Sequence, residues 1–159
     1  MNKKLLLIAA LTAAVIASVI WWRGRPVKRA ERMLTKAAAT ASVTVDDGDI
    51  TRRMKFAKLR NYTGYELHVD VEGIADSCDL MQDEALSAWA YAVGRTRYLS
   101  VKIMDMEVIP AEEDKMVVNA DIRVDSNYQK GRYSKTYPVV MELMTVESKL
   151  RVISLKTQL

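Results

Sequence analysis

The chain is poor in the side chains that build metal and nucleophilic centres: its 159 residues include one cysteine, Cys78, and one histidine, His68. A lone thiol closes no internal disulfide, so the fold must stand on its apolar core, and Cys78 reads as a small buried hydrophobe or a quiet thiol. One cysteine and one histidine cannot complete a tetrahedral zinc site within the chain. Serine-type catalysis lacks its context, because no Gly-x-Ser-x-Gly elbow accompanies the single histidine. Asp46-Asp47-Gly48-Asp49 imitates an ion loop, yet it lacks the ligand series and the terminal glutamate of a calcium hand. The methionines Met104, Met106, Met116, Met141 and Met144 are dispersed by strand alternation rather than clustered like copper thioethers, and they suit gap-filling in a bent sheet. No metal and no cofactor is expected. Repeats and low-complexity segments are also missing.

What is present begins with the first two dozen residues. Lys3 and Lys4 precede an uncharged apolar run from Leu5 to Trp22, which Arg23, Arg25, Lys28 and Arg29 follow at once. At a rise of ~1.5 Å per residue the run approaches the ~30 Å of a bilayer core. It therefore reads as one transmembrane helix, with Trp21 and Trp22 as interfacial anchors and Arg23, Arg25, Lys28 and Arg29 against the headgroups. The leader also has the charged start and Leu-rich centre of a secretory signal, with Ala17 as the best cleavage position, but the apolar run continues past it. An uncleaved anchor is favoured over a removed signal. Orientation pulls both ways. The cations after the run favour a cytoplasmic domain, whereas the signal-like leader favours the periplasmic side of a bacterial inner membrane, the expectation adopted.

The formal net charge is +4, and Arg23, Arg25, Lys28, Arg29, Arg32 and Lys36 stand against Glu31 alone in that stretch. The rest is close to neutral. No basic stripe with interleaved aromatics occurs in it, so no nucleic-acid partner is expected. Two units follow: residues 1–25 as anchor or signal with a basic hinge, and residues 26–159 as one domain.

Pro26 suits a first helical turn, and Val27, Ala30, Leu34, Ala37 and Ala41 recur as an apolar stripe of a helix. Asp49 reads as the N-cap of a second helix from Ile50 toward Leu59. Strand alternation starts at Tyr65 and runs through Leu67, Val69 and Val71. A short strand or turn is expected around Ile74 to Ser77. Asp79-x-x-Gln82 reads as a capping box opening a third helix, with Leu86, Trp89 and Val93 as its apolar face and Gly94 at its end. Four strands follow, at Val101 to Ile109, Met116 to Val124, Lys135 to Val146 and Leu150 to Lys156, with Glu147-Ser148 as a turn.

Helices gathered first and antiparallel strands last argue for an α+β fold. This order, carried by the Tyr65 to Val71 strand, the Asp79-to-Gly94 helix with Trp89 and the four long strands, resembles the NTF2-like superfamily. The resemblance covers most of the chain after Pro26 and implies a cone of three helices packed against a bent antiparallel sheet, here preceded by one transmembrane helix. It also implies a pocket between sheet and helices, which some members use for catalysis and others only for packing or assembly. Single-anchor members, the VirB8-like components of bacterial secretion channels, look similar in plan.

Three functions remain in view, the last a lipid-surface sensor that uses the basic hinge. The first is a membrane-anchored, non-enzymatic interaction or assembly domain of a bacterial envelope complex, with a protein partner or a homo-oligomer. The second is a pocket that binds or transforms a small apolar ligand, lined by Tyr62, Tyr65, His68, Trp89, Tyr98 and Asp105. Core packing explains those aromatics equally well. His68 and Asp70 share one strand face and could share a proton, but Glu66 and Glu72 lie on the same face, as on an ordinary solvated side.

Overall fold

The computed structural model describes residues 25–72, 77–112, 114–128 and 131–158. The apolar run, with Trp21, Trp22 and Arg23, lies outside the described residues. Among those described, no helix is long and apolar enough to cross a membrane.

A helix through 25–41 (α1) comes first. It is followed by α2 (Asp49–Leu59), β1 (Thr63–Glu72), β2 (Cys78–Met81), α3 (Gln82–Gly94), β3 (Thr96–Pro110), β4 (Lys115–Tyr128), β5 (Gly131–Val146) and β6 (Lys149–Gln158). The strands form one six-stranded sheet in the order β2-β1-β6-β5-β4-β3. β3 to β6 are a meander of antiparallel hairpins. The expectation of a wholly antiparallel sheet needs correction, because β6 ends the meander beside β1 and runs parallel to it. The ladders slip in register at several points, among them between Ile103 and Asp105 on β3 and between Glu142 and Leu143 on β5. An extra residue on one strand of a pair increases local twist and curvature.

The stripe on α1 does what its spacing predicts. Ala30 and Leu34 are buried in one cluster with Val118 and Ala120 of β4, Val139, Met141 and Leu143 of β5, and Leu150 of β6. Met106 and Met116 pack against the same cluster, so these thioethers fill core space. Beyond the helix, Val43 exchanges both backbone hydrogen bonds with Leu99 at the edge of β3, which fixes where the chain turns into α2.

Several local expectations are corrected. Gly48, not Asp49, is the N-cap of α2, and Asp49 lies in its first turn. The short strand sits at Cys78–Met81, and α3 opens at Gln82 with Glu84 accepting the Met81 backbone N–H at 2.8 Å. Asp79 is therefore a strand residue rather than a cap; it was drawn off by His68, which faces it across the ladder. Cys78 is exposed rather than buried, because β2 is an edge strand. The Glu147-Ser148 turn is as expected: both residues have positive φ, 51° and 64°, as a two-residue hairpin turn requires.

Gly64 lies where β1 runs close against β6. A Cβ there would lie 2.9 Å from the Glu66 carbonyl oxygen, 3.1 Å from Ile153 Cγ2 and 3.2 Å from the Val152 carbonyl oxygen. Two of the three neighbours are backbone and cannot rotate away. Gly64→Ala is expected to destabilise by about 1–3 kcal/mol, as overpacking does, read as a lowered urea midpoint with an unchanged slope. A midpoint equal to wild type would mean the β1–β6 seam is looser than described.

Candidate functional site

The segment joining α1 to α2 is fastened at several points. The Asp47 carboxylate accepts the Thr44 N–H at 2.9 Å and pairs with the Lys55 ammonium at 2.5 Å. Lys55 also donates to the Ser42 carbonyl at 2.8 Å. Arg52 donates through Nε to the Asp47 carbonyl at 3.1 Å and through a terminal nitrogen to the Val93 carbonyl at 3.2 Å, tying α2 to the end of α3. Lys55 holds the Asp47 carboxyl below the usual carboxylate range, with the Thr44 N–H next in effect.

This fastening presents a groove between α2 and α3. Phe56 and Trp89 form its aromatic floor, their rings tilted by 45° with centroids 6.5 Å apart. Trp89 Nε1 donates to the Ala41 carbonyl at 3.1 Å, which fixes the indole on the end of α1. Ala90, Val93 and Gly94 continue the floor, and Asp49, Arg52 and Arg53 make the rim around a volume of about 320 Å³. An apolar floor with a few convergent charges is how small-molecule sites are built. Arg52 is already committed to two carbonyls, which leaves Asp49 and Arg53 to meet a ligand.

The six residues read as a pocket from the sequence do not converge. Trp89 lies in the α2/α3 groove. Tyr62 lines a basic cleft of about 600 Å³ beside α1. Tyr65 donates its hydroxyl to Glu147 at 2.7 Å and receives the Arg151 guanidinium over its ring at 4.8 Å; the acceptance by Glu147 raises the phenol's pKa. His68 meets Asp79 at 2.6 Å on the exposed sheet edge, not Asp70. Tyr98 lines a polar depression of about 550 Å³ with Arg123, Asp125 and Ser134. There the Ser134 hydroxyl lowers the Asp125 carboxyl pKa first, and Arg123 assists. Asp105 lies with Glu107, Asn119 and Asp121 in a depression along β3, β4 and β5. Among the described residues no group of three or more metal-ligating side chains converges.

Phe56 and Arg53 were not singled out in the sequence, and Asp49 was read there only as a helix cap and as part of an ion-loop lookalike. The one signal available was Phe56 itself, the sole phenylalanine, placed mid-helix in a segment otherwise rich in charge.

Comparison with solved structures places this architecture. A candidate dehydratase of the NTF2-like family from Streptomyces avermitilis superposes with a TM-score of 0.66 at 12% identity, over 86% of this chain and 96% of that one. The fold is NTF2-like. A candidate scytalone dehydratase from Novosphingobium aromaticivorans gives 0.65 at 10% identity, over 85% and 84% of the two chains. A type 2 hexachlorocyclohexane dehydrochlorinase gives 0.62 at 12% identity, over 85% of each. No protein-family model matches the chain, and no curated protein sequence matches it.

These neighbours correct the first functional expectation. Their names are those of enzymes, not of assembly components, so the reading as a non-enzymatic, membrane-anchored assembly domain gives way to the small-ligand alternative. At such identities the likeness itself extends to the fold alone.

The Asp47 fastening has a pH signature. Its folded-state pKa is lowered, so its contribution to stability is complete above the unfolded value near 3.9 and is lost as pH falls through the lower folded value. Asp47→Asn is expected to cost about 1 kcal/mol at pH 7, and the gap to wild type should narrow in urea titrations as pH falls below the unfolded carboxylate value. A gap that stays constant with pH would place the cost elsewhere than in the Asp47 charge.

Proposed function

We propose that the protein binds a small, flat apolar ligand bearing a negative charge in the groove between α2 and α3. The observation that carries this reading is the Phe56–Trp89 floor beneath the Arg53 rim. An aromatic floor supplies area with directional stacking, and the arginine fork supplies a bidentate partner for a carboxylate. Arg53 makes no ion pair among the described residues. Its charge is therefore available to a ligand.

Enzymes named among the structural neighbours support a ligand-transforming role on this fold. Of the groups lining the groove, Asp49 is the one carboxylate and hence the one candidate proton acceptor. Binding is the primary claim, and turnover would rest on Asp49.

The test uses the full chain with Trp21→Phe and Trp22→Phe, which leaves Trp89 as its only indole. Titration with 1-naphthoate is expected to change Trp89 emission saturably and to raise the unfolding temperature by mass action. Arg53→Ala should weaken the affinity about tenfold, the equivalent of ~1.4 kcal/mol, and Phe56→Ala should weaken it further. Emission that changes without saturating, or affinity indifferent to both substitutions, would overturn the proposal.

A further inference from the structure

A basic cleft lies away from the aromatic groove and plays no part in the function proposed above. Arg25, Lys28, Arg29, Arg32 and Lys36 of α1 line one cleft of about 600 Å³, with Met33 and Tyr62 completing it. No carboxylate contributes to the lining. At about 100° per residue, these five cations fall within one arc of roughly 100° opposite Ala30 and Leu34, the two side chains that bind the helix to the sheet. The helix is thus committed on one side and cationic on the other. Lys28, Arg32 and Lys36 form no ion pair among the described residues. Arg29 reaches the Ser148 carbonyl at 2.8 Å, a contact that leaves its positive charge uncompensated.

We infer that this face of α1 docks on the anionic headgroups of a lipid bilayer. Charge complementarity favours a surface of many phosphates over a single small anion, because the cations are strung along three turns of helix rather than gathered around one point. The position in the chain agrees, since the uncharged stretch from Leu5 to Trp22 ends three residues before Arg25. Cations held within a Debye length of an anionic leaflet each add to the attraction, and salt screens it. Met33 and Tyr62 give the cleft apolar and amphipathic walls of the kind that sit at the headgroup level.

The experiment reads the apposition of α1 to the surface, and the comparison of anionic with neutral vesicles isolates the part that depends on charge. A dye is placed on exposed Thr35 through Thr35→Cys in a Cys78→Ser background of the full chain. Energy transfer to headgroup-labelled lipid is then followed on phosphatidylcholine vesicles with and without about one third phosphatidylglycerol. Transfer at 0.1 M salt is expected to rise at least twofold on the anionic vesicles and to return to the neutral value at 0.5 M. The triple variant Lys28→Glu, Arg32→Glu, Lys36→Glu changes exposed side chains only and should abolish the rise while its circular dichroism matches wild type. Equal transfer on both vesicle types, or a rise that survives the triple variant, would overturn the inference. So would a rise removed by millimolar inorganic phosphate at constant ionic strength, which would assign the cleft to a small free anion.

Discussion

The structure depends on one seam, where Ala30 and Leu34 of α1 are pressed into the sheet formed by β4, β5 and β6. Burying a leucine side chain contributes about 2 kcal/mol of apolar stabilisation, and the alanine one turn earlier lets the helix backbone approach closely. Everything else on α1 follows from helical geometry. With positions 30 and 34 turned inward, positions 28, 32 and 36 turn outward, and the cations share one cleft. Arg29 at the border reaches the Glu147-Ser148 turn, so the helix is pinned to the hairpin that delivers β6 as well as to the core.

The same seam sets where a ligand can sit. Because α1 ends at a fixed place on the sheet, its last carbonyls are available to the indole of Trp89, and the Val43–Leu99 bridge sends the chain outward toward α2. Lys55 and Arg52 then fasten α2 to Asp47 of the segment before it, and Arg52, through the Val93 carbonyl, holds α2 against α3. The aromatic floor is a product of that arrangement: Phe56 and Trp89 lie 33 positions apart in the chain and meet because two independent fastenings bring their helices together. The resemblance to the NTF2-like superfamily implied a pocket between sheet and helices; among the described residues, the groove that combines an apolar floor with a charged rim lies between two helices.

Much of the architecture was legible from periodicity. The α1 stripe, the alternation of β4 and the Glu147-Ser148 turn are local signals that survive tertiary packing, whereas β1 is half-buried on both faces from Leu67 to Val71 and Tyr65 is exposed. The boundaries that moved did so where a tertiary partner outbid a local one. Asp79 looks like a helix cap until His68 is placed across from it on the ladder, and Asp49 looks like an N-cap until Asp47 is engaged by Lys55 and Thr44. Cys78 looks buried until its strand turns out to be the sheet edge. The parallel pairing of β6 with β1 has no sequence signature, since side-chain alternation reads the same in either direction. The pocket residues were the least legible for the same reason. Tyr62, Tyr65, His68, Tyr98 and Asp105 are each credible site residues in isolation, and only the order of strands in the sheet separates them.

Amide hydrogen exchange across the full chain measures the seam directly. The seating of Ala30 and Leu34 predicts that amides from Leu34 to Ala38 exchange in the same slow class as those at the centres of β4 and β5, because freeing them requires opening the shared core. Exchange of those α1 amides at the rate of an unprotected helix, while β4 and β5 remain slow, would contradict the account.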